Sequence, residues 1–265
     1  MDLAWVETWR RPRERGGLTL APGERVVAGG TWLFSEPQPS VTGLVDLTGL
    51  GWDPFVATPG GGVSIAATCT IEHLVDSPWP AHLAALVRQC ADALLMSFKI
   101  QQAATVGGNV CMALPAGAMI SLLTALDAEA VVWAPDGSER REPVASFVQG
   151  VLATSLAPGE VVRSFDVSAE ALADRYAFGR ISLTTYGRSA AVVIARRTPS
   201  GIRLAITGSV PAPVVLELCA EPGREEVAAA IAEITHWYDD VHGAADWRAA
   251  QTLRLAQETV AEVLR

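Results

Sequence analysis

Two stretches of this chain, far apart in sequence, share one arrangement: a small or apolar approach, two adjacent glycines, and a hydroxyl residue beside them. The first is Val26-Val27-Ala28-Gly29-Gly30-Thr31-Trp32-Leu33 and the second is Gln102-Ala103-Ala104-Thr105-Val106-Gly107-Gly108-Asn109-Val110. Glycine has no Cβ to hold an anion away from the main chain, so such stretches suit backbone N–H groups that meet a phosphate. A single Gly-Gly pair is most often an ordinary turn. Two of them lead to a sharper expectation, in which two nests clamp one diphosphate.

Composition narrows what such a clamp serves. The chain has 265 residues, half of them hydrophobic, enough for a sizeable core and two domains of ordinary size. Its formal charge is −9 and its one lysine is Lys99, so it lacks the basic stripe that nucleic-acid binders use, and nucleic acid is not expected as a partner. Cys69, Cys90, Cys111 and Cys219 are widely spaced in apolar surroundings with no CxxC or Cys/His pattern. They read as reduced core residues, and an iron–sulfur cluster would have to sit on another chain. The four histidines are scattered and read as solvated, so no metal site is expected. No targeting segment and no apolar run long enough to span a bilayer is found, so the chain is expected to be cytoplasmic and free of membrane.

Motifs that would give the chain its own catalytic group are missing: there is no GxSxG, HExxH, Walker loop or GxGxxG, and Gly60-Gly61-Gly62 lacks the last spacing. No catalytic side chain is assigned, and the chemistry is left to a bound cofactor.

Local patterns supply a framework. Met1 to Arg15 opens with an apolar, tryptophan-containing piece and turns charged, after which Gly16, Gly17 and Pro22 crowd out a long helix. Arg25 to Ala28 reads as a buried parallel strand with Gly29-Gly30 as its exit turn, and Leu44 to Leu47 as a second strand. Val63 to Thr68 alternates like a strand, and Thr70 is placed to cap a helix. Leu83, Leu86, Val87, Cys90 and Leu94 recur at helical steps and lead to the second glycine stretch, itself read as a turn. Ile120 to Leu126 reads as a helix; Glu129 to Val132, Arg140 to Pro143 and Val161 to Val167 read as strands, with an Asp136-Gly137 hairpin turn. Ala190 to Ala195, Ile202 to Thr207 and Val214 to Leu218 read as antiparallel strands, followed by helices over Arg224 to Ile234 and Trp247 to Leu264.

The order Ala28-Gly29-Gly30-Thr31-Trp32-Leu33, then Ala104 to Asn109 after a helix, then the run Leu122 to Val132, resembles the flavoprotein subunit of the molybdenum hydroxylases. That family includes the FAD-binding medium subunits of carbon monoxide dehydrogenases and the FAD domain of xanthine dehydrogenases. Ser155 to Glu160 and, more loosely, Phe178 to Arg197 extend the resemblance over nearly the whole chain. It implies an α+β fold: a two-lobed FAD-binding domain over residues 1–173, with lobes of about 1–52 and 53–173, and a smaller C-terminal domain of antiparallel strands and helices over 174–265.

The resemblance also implies roles. Backbone N–H groups of Ala28, Gly29, Gly30, Thr31, Trp32 and Leu33, and of Val106, Gly107, Gly108 and Asn109, would hold the FAD pyrophosphate, with the Thr31 and Thr105 hydroxyls assisting. Leu156 would pack near the flavin or adenine, Arg180 beside the isoalloxazine, and Tyr186 over the flavin ring. Relatives carry an aspartate in the loop after the second glycine stretch where this chain has Ala118, which implies a lost contact to the cofactor's hydroxyls of about 1–3 kcal/mol. Asp127 is expected to be structural. Electrons would arrive from a [2Fe–2S] small subunit and leave to NAD, a quinone or oxygen, while the substrate is oxidised on a large subunit holding the molybdenum cofactor. Two alternatives remain at this point: a degenerate member with a structural or assembly role, and a stand-alone FAD oxidoreductase.

Overall fold

The computed structural model describes residues 3–93 and 98–265, so Met1 and Leu94 lie outside the described residues. The chain opens with β1 (Thr8–Arg10), β2 (Glu24–Val27) and β3 (Gly43–Asp46), a parallel sheet in the order β1-β3-β2. Where glycine and proline crowd the first connection there is a single 3-10 turn, Arg15–Leu18. Leu44 and Val45 of the central strand are buried, but Val26 of β2 is exposed, because β2 is an edge strand that borders a cavity. This corrects the expectation of a buried strand there.

An ion pair ties the two outer strands together. Arg10 Nε and Nη2 donate to Glu24 Oε1 and Oε2 at 2.8 and 2.7 Å. These bonds, with one from the Ala21 N–H, hold the Glu24 carboxyl down to about 2. A depressed carboxylate stabilises the fold fully above its ordinary value, 4.5, and the contribution is lost as the pH falls towards about 2. Over that window the melting temperature of the protein is expected to fall more steeply than that of Glu24→Gln; parallel curves would remove the ion pair from the account.

The chain continues through β4 (Phe55–Ala57), β5 (Val63–Ala66) and five helices: α1 (Ile71–Asp76), α2 (Ala81–Ala93), α3 (Phe98–Ala103), α4 (Val106–Cys111) and α5 (Ala118–Ala125). Then come β6 (Glu129–Trp133), β7 (Glu139–Pro143), α6 (Val144–Phe147), the hairpin of β8 (Val148–Gly150) and β9 (Ala153–Thr154), β10 (Val161–Val167) and α7 (Ala169–Ala173). The sheet β4-β5-β10-β6-β7 is antiparallel throughout. Thr70 caps α1 through its hydroxyl, as expected. Helix α5 is buried on every side, which explains an apolar run with no polar face. Leu18, Val45, Leu47 and Val161 join this unit to the first sheet. Trp52 and Trp133 meet edge-on beside them at 5.4 Å, and the Arg163 guanidinium lies 4.5 Å from the Trp52 ring.

The last part holds β11 (Arg175–Ile181), β12 (Ala191–Thr198), β13 (Gly201–Thr207) and β14 (Val214–Leu218) in an antiparallel sheet of that order, then α8 (Arg224–Ala232) and α9 (Ala245–Val263). Both faces of this sheet are covered. Val192, Ile194 and Ala205 point into the core shared with α2 and α5, while Val193, Ala195, Leu204 and Ile206 pack with Leu255, Val260 and Val263 of α9. Burial on both faces is why Ala191 to Ala195 reads as one apolar run instead of an alternation.

Candidate cofactor site

The two glycine stretches are brought together. A Cβ on Gly29 would lie 1.8 Å from the Ala103 carbonyl oxygen and 3.2 Å from Ala104 Cα, so only glycine lets the first stretch reach the backbone that leads into the second. They meet at the carboxyl end of β2, where ligands bind in open parallel sheets. Beside them lies a cavity of about 710 Å³, within the usual size for a cofactor or ligand site. Its walls come from three regions: Arg25 to Leu33, the segment from Ala104 to Gly117 with the hairpin residues Leu152, Thr154 and Leu156, and, from the last sheet and helix, Arg188, Ser189, Gly208, Tyr238, Asp240 and Arg248.

Of the residues singled out in the sequence, Ala28, Gly29, Gly30, Thr31, Trp32, Leu33, Thr105, Gly107, Gly108, Asn109 and Leu156 line this cavity. Three stand apart from it. Val106 is fully buried, Tyr186 is 87% exposed on a loop, and Arg180 donates instead to Ser189 Oγ at 2.7 Å and the Gly187 carbonyl at 2.5 Å. Burial lowers the Arg180 pKa from its ordinary value.

The main-chain donors differ between the stretches. Among the described residues none accepts a hydrogen bond from the N–H groups of Gly29 to Leu33, and Gly30 has a φ of +66°, so this turn, which lines the cavity, keeps main-chain donors without a protein partner. The second stretch is a capped helix, not the expected turn. Val106 N–H donates to Cys69 O and Gly107 N–H to Ala67 O, both at 2.9 Å, while Gly108 N–H goes to Thr105 Oγ1 at 3.1 Å and Asn109 N–H to Thr105 O at 2.9 Å. All four donors are used inside the protein, which corrects the expectation that they hold a phosphate. Gly107 is needed for packing, since a Cβ there would come 2.6 Å from Ala67 Cβ. Gly108 is exposed, and a Cβ there would meet only Thr105 Oγ1, at 2.9 Å.

Ala118 is 2% exposed at the start of α5 and does not line the cavity, so an acid at this position would enter the core and not meet the cofactor's hydroxyls. Asn109 Oδ1 accepts from the Met119 N–H at 2.9 Å, tying the second stretch to α5. Asp127 is structural: its carboxylate accepts from Arg203 Nη2 at 2.7 Å. Cys69 and Cys90 are buried, Cys111 is partly buried on the cavity wall, and Cys219 is exposed, against the expectation of four core thiols. Burial pushes Cys69 and Cys111 up to about 12, so both remain protonated at neutral pH. Among the described residues no three His, Cys, Asp or Glu side chains gather to hold a metal, and no helix is long and apolar enough to cross a membrane.

Sequence reasoning missed the wall contributed by the last sheet and helix. Arg248 is 1% exposed. Its Nε donates to Gly243 O at 2.8 Å and Nη1 to Ala190 O at 2.9 Å, with further bonds to Gly208 O and Asp240, and its guanidinium lies 5.3 Å from the Tyr238 ring. Arg248 and Asp240 neutralise each other, and Arg25 from the first region and Arg188 from the last leave the cavity lining with two further cations in a chain that carries −9 overall. The charge of the lining is thus opposite in sign to that of the chain as a whole, which favours an anionic ligand.

The family described as the FAD binding domain in molybdopterin dehydrogenase matches residues 16–168, more than half of the chain. The chain belongs to that family. FAD is its cofactor. The fold agrees with solved members of such complexes. Reconstituted CO dehydrogenase from Oligotropha carboxidovorans superposes with a TM-score of 0.84 at 21% identity, covering 100% of this chain and 99% of that one. For CO dehydrogenase from Hydrogenophaga pseudoflava the values are 0.82 and 22%, with 98% of each chain covered. Quinoline 2-oxidoreductase from Pseudomonas putida 86 gives 0.81 at 19% identity over the full length of both. Identities this low establish a shared fold. A search among curated proteins gave no sequence match.

Proposed function

We propose that this chain is the FAD-carrying electron-transfer subunit of a molybdenum hydroxylase and that the FAD lies in the cavity shared by the three regions. The observation that carries this reading is the coincidence of main-chain donors without a protein partner at Gly29 to Leu33 with arginines on two sides of the same cavity, Arg25 from β2 and Arg188 from the last sheet. FAD supplies the ability to take electrons singly on one side and give them up in pairs on the other. The chain's own part is to bind and orient. The N–H groups of Gly29 to Leu33 hold phosphate oxygens, Arg25 and Arg188 balance their charge, Arg248 holds the carbonyls and Asp240 of its wall in place, and the missing Cβ of Gly108 leaves room for close approach. Trp32 and Leu33 shield the dinucleotide from water. The reading assigns residues 1–173 to the FAD-binding part and 174–265 to a C-terminal part that closes one wall.

Because no iron–sulfur ligand set is legible in this chain, its electrons would come from a separate [2Fe–2S] subunit, with substrate oxidised on a molybdenum-cofactor subunit beyond. The acceptor would be NAD, a quinone or oxygen.

Purified protein is expected to show flavin absorption bands and to release FAD on denaturation. Gly108→Val is expected to melt within about 2 °C of the parent, since the gain in helix propensity over glycine offsets the shift its Cβ forces on the Thr105 hydroxyl, but to bind FAD at least about tenfold more weakly. Full flavin occupancy in that variant would count against the cavity. Co-purification of an iron–sulfur and a molybdenum chain from the native host tests the partners; recovery as a free chain whose flavin an organic substrate reduces directly would favour a stand-alone oxidoreductase.

A further inference from the structure

Three non-glycine residues among those described have positive φ: Ala113 at 48°, Asp127 at 52° and Leu152 at 58°. Aspartate tolerates this region, and Asp127 is fixed by its bond to Arg203. Alanine and leucine have no such compensation, because their Cβ crowds the following carbonyl. The two are joined: the Leu152 N–H donates to the Ala113 carbonyl at 3.0 Å. Leu152 occupies the tight turn between β8 and β9, where glycine or asparagine is the residue that φ > 0 favours. Its side chain is 60% exposed, so core burial does not explain the leucine either. It does line the cavity, and Ala113 leads into Leu114 to Gly117 on the same wall. Strain of this kind persists where the surroundings impose it, and it gathers at ligand clamps.

We propose that Leu152 is a cofactor-contact residue: its side chain lies over the bound FAD and shields it from solvent, and the left-handed turn, bonded to Ala113, fixes where that side chain stands. The inference rests on the reading of this cavity as the FAD site. Glycine suits the turn better and is disfavoured because it would leave the cofactor uncovered.

The test compares Leu152→Gly and Leu152→Ala in the full chain. Both remove the side chain, but only glycine relieves the backbone. Without FAD, the glycine variant is expected to melt about 2–4 °C above the alanine variant. With FAD, both are expected to bind about tenfold more weakly than the parent, and their bound flavin should be quenched more strongly by iodide. A glycine variant that regains stability without regaining affinity separates cofactor contact from a merely structural role. Parental affinity and parental quenching in both variants would overturn the proposal, as would equal melting of the two. If Gly108→Val also binds FAD like the parent, the cavity assignment itself fails; if Gly108→Val loses FAD while the Leu152 variants do not, only the present inference does.

Discussion

Gly29→Ala is expected to destabilise the protein by about 3 kcal/mol, near the upper end for overpacking, and to lower its melting temperature by roughly 6–12 °C. The added methyl group would stand 1.8 Å from the Ala103 carbonyl oxygen and 2.8 Å from its carbon. These are backbone atoms at the end of α3, so no side-chain rotation gives relief. The strand end and the segment before α4 must separate, and the cavity opens between them. FAD is therefore expected to be lost together with stability, unlike in Gly108→Val, where affinity falls and stability holds. Thermal melting and the ratio of flavin to protein absorbance, measured on the same preparation, check this. A Gly29→Ala protein that melts like the parent and keeps its flavin would show that the two stretches do not need this approach.

Arg248→Met is expected to be of similar size or larger. The methionine would fill much of the volume but leave the carbonyls of Ala190, Gly208 and Gly243 without their donor, and Asp240 without its counter-ion. Removing one partner of a buried ion pair costs about 3–5 kcal/mol, which corresponds here to roughly 10 °C or to failure to fold. Arg248→Lys keeps the charge but not the planar fork that reaches several acceptors at once, so it is expected to recover only part of the loss. Asp240→Asn should be milder than either, because the bonds to the three carbonyls survive. Equal melting temperatures for Arg248→Met and Asp240→Asn would mean that the carbonyl contacts contribute nothing.

What could be read in advance follows a physical division. Val161 to Val167 and Val214 to Leu218 coincide with β10 and β14. The run Glu129 to Val132 and the Asp136-Gly137 turn fall on the observed hairpin, because an unbroken apolar run with adjacent β-branched residues and a φ of +88° at Gly137 are local requirements. Strand β11 was not recognised, as its burial is partial and Arg175 and Arg180 interrupt any apolar pattern. Gly107-Gly108 read as a turn because glycine is a poor helix former; the helix forms there because Gly107 must approach Ala67, a tertiary demand that propensity does not carry. The first glycine stretch could be singled out from sequence, but the second has the same arrangement and no free donors from Val106 to Asn109, so which of the two leaves its N–H groups unpaired depends on the tertiary contacts. The wall with Arg248 could not be singled out, although a signal exists. On α9, Arg248 shares the buried face with Thr252, Leu255, Ala256 and Thr259, and an arginine on the core face of an amphipathic helix requires a buried acceptor.

The doubly covered sheet β11–β14 has a consequence for how the cofactor is acquired. One of its faces completes the core of the middle part of the chain, and the loops at its end supply Ser189 and Gly208 to the cavity. A nascent chain that ends before β12 lacks Val192, Ile194 and Ala205 and leaves α5 uncovered, so the binding wall does not exist until the last quarter of the protein has been made. On the proposed reading of the cavity, FAD binds only the finished arrangement and by mass action would draw the population towards it. A chain truncated before β12 is then expected to stay colourless when FAD is added.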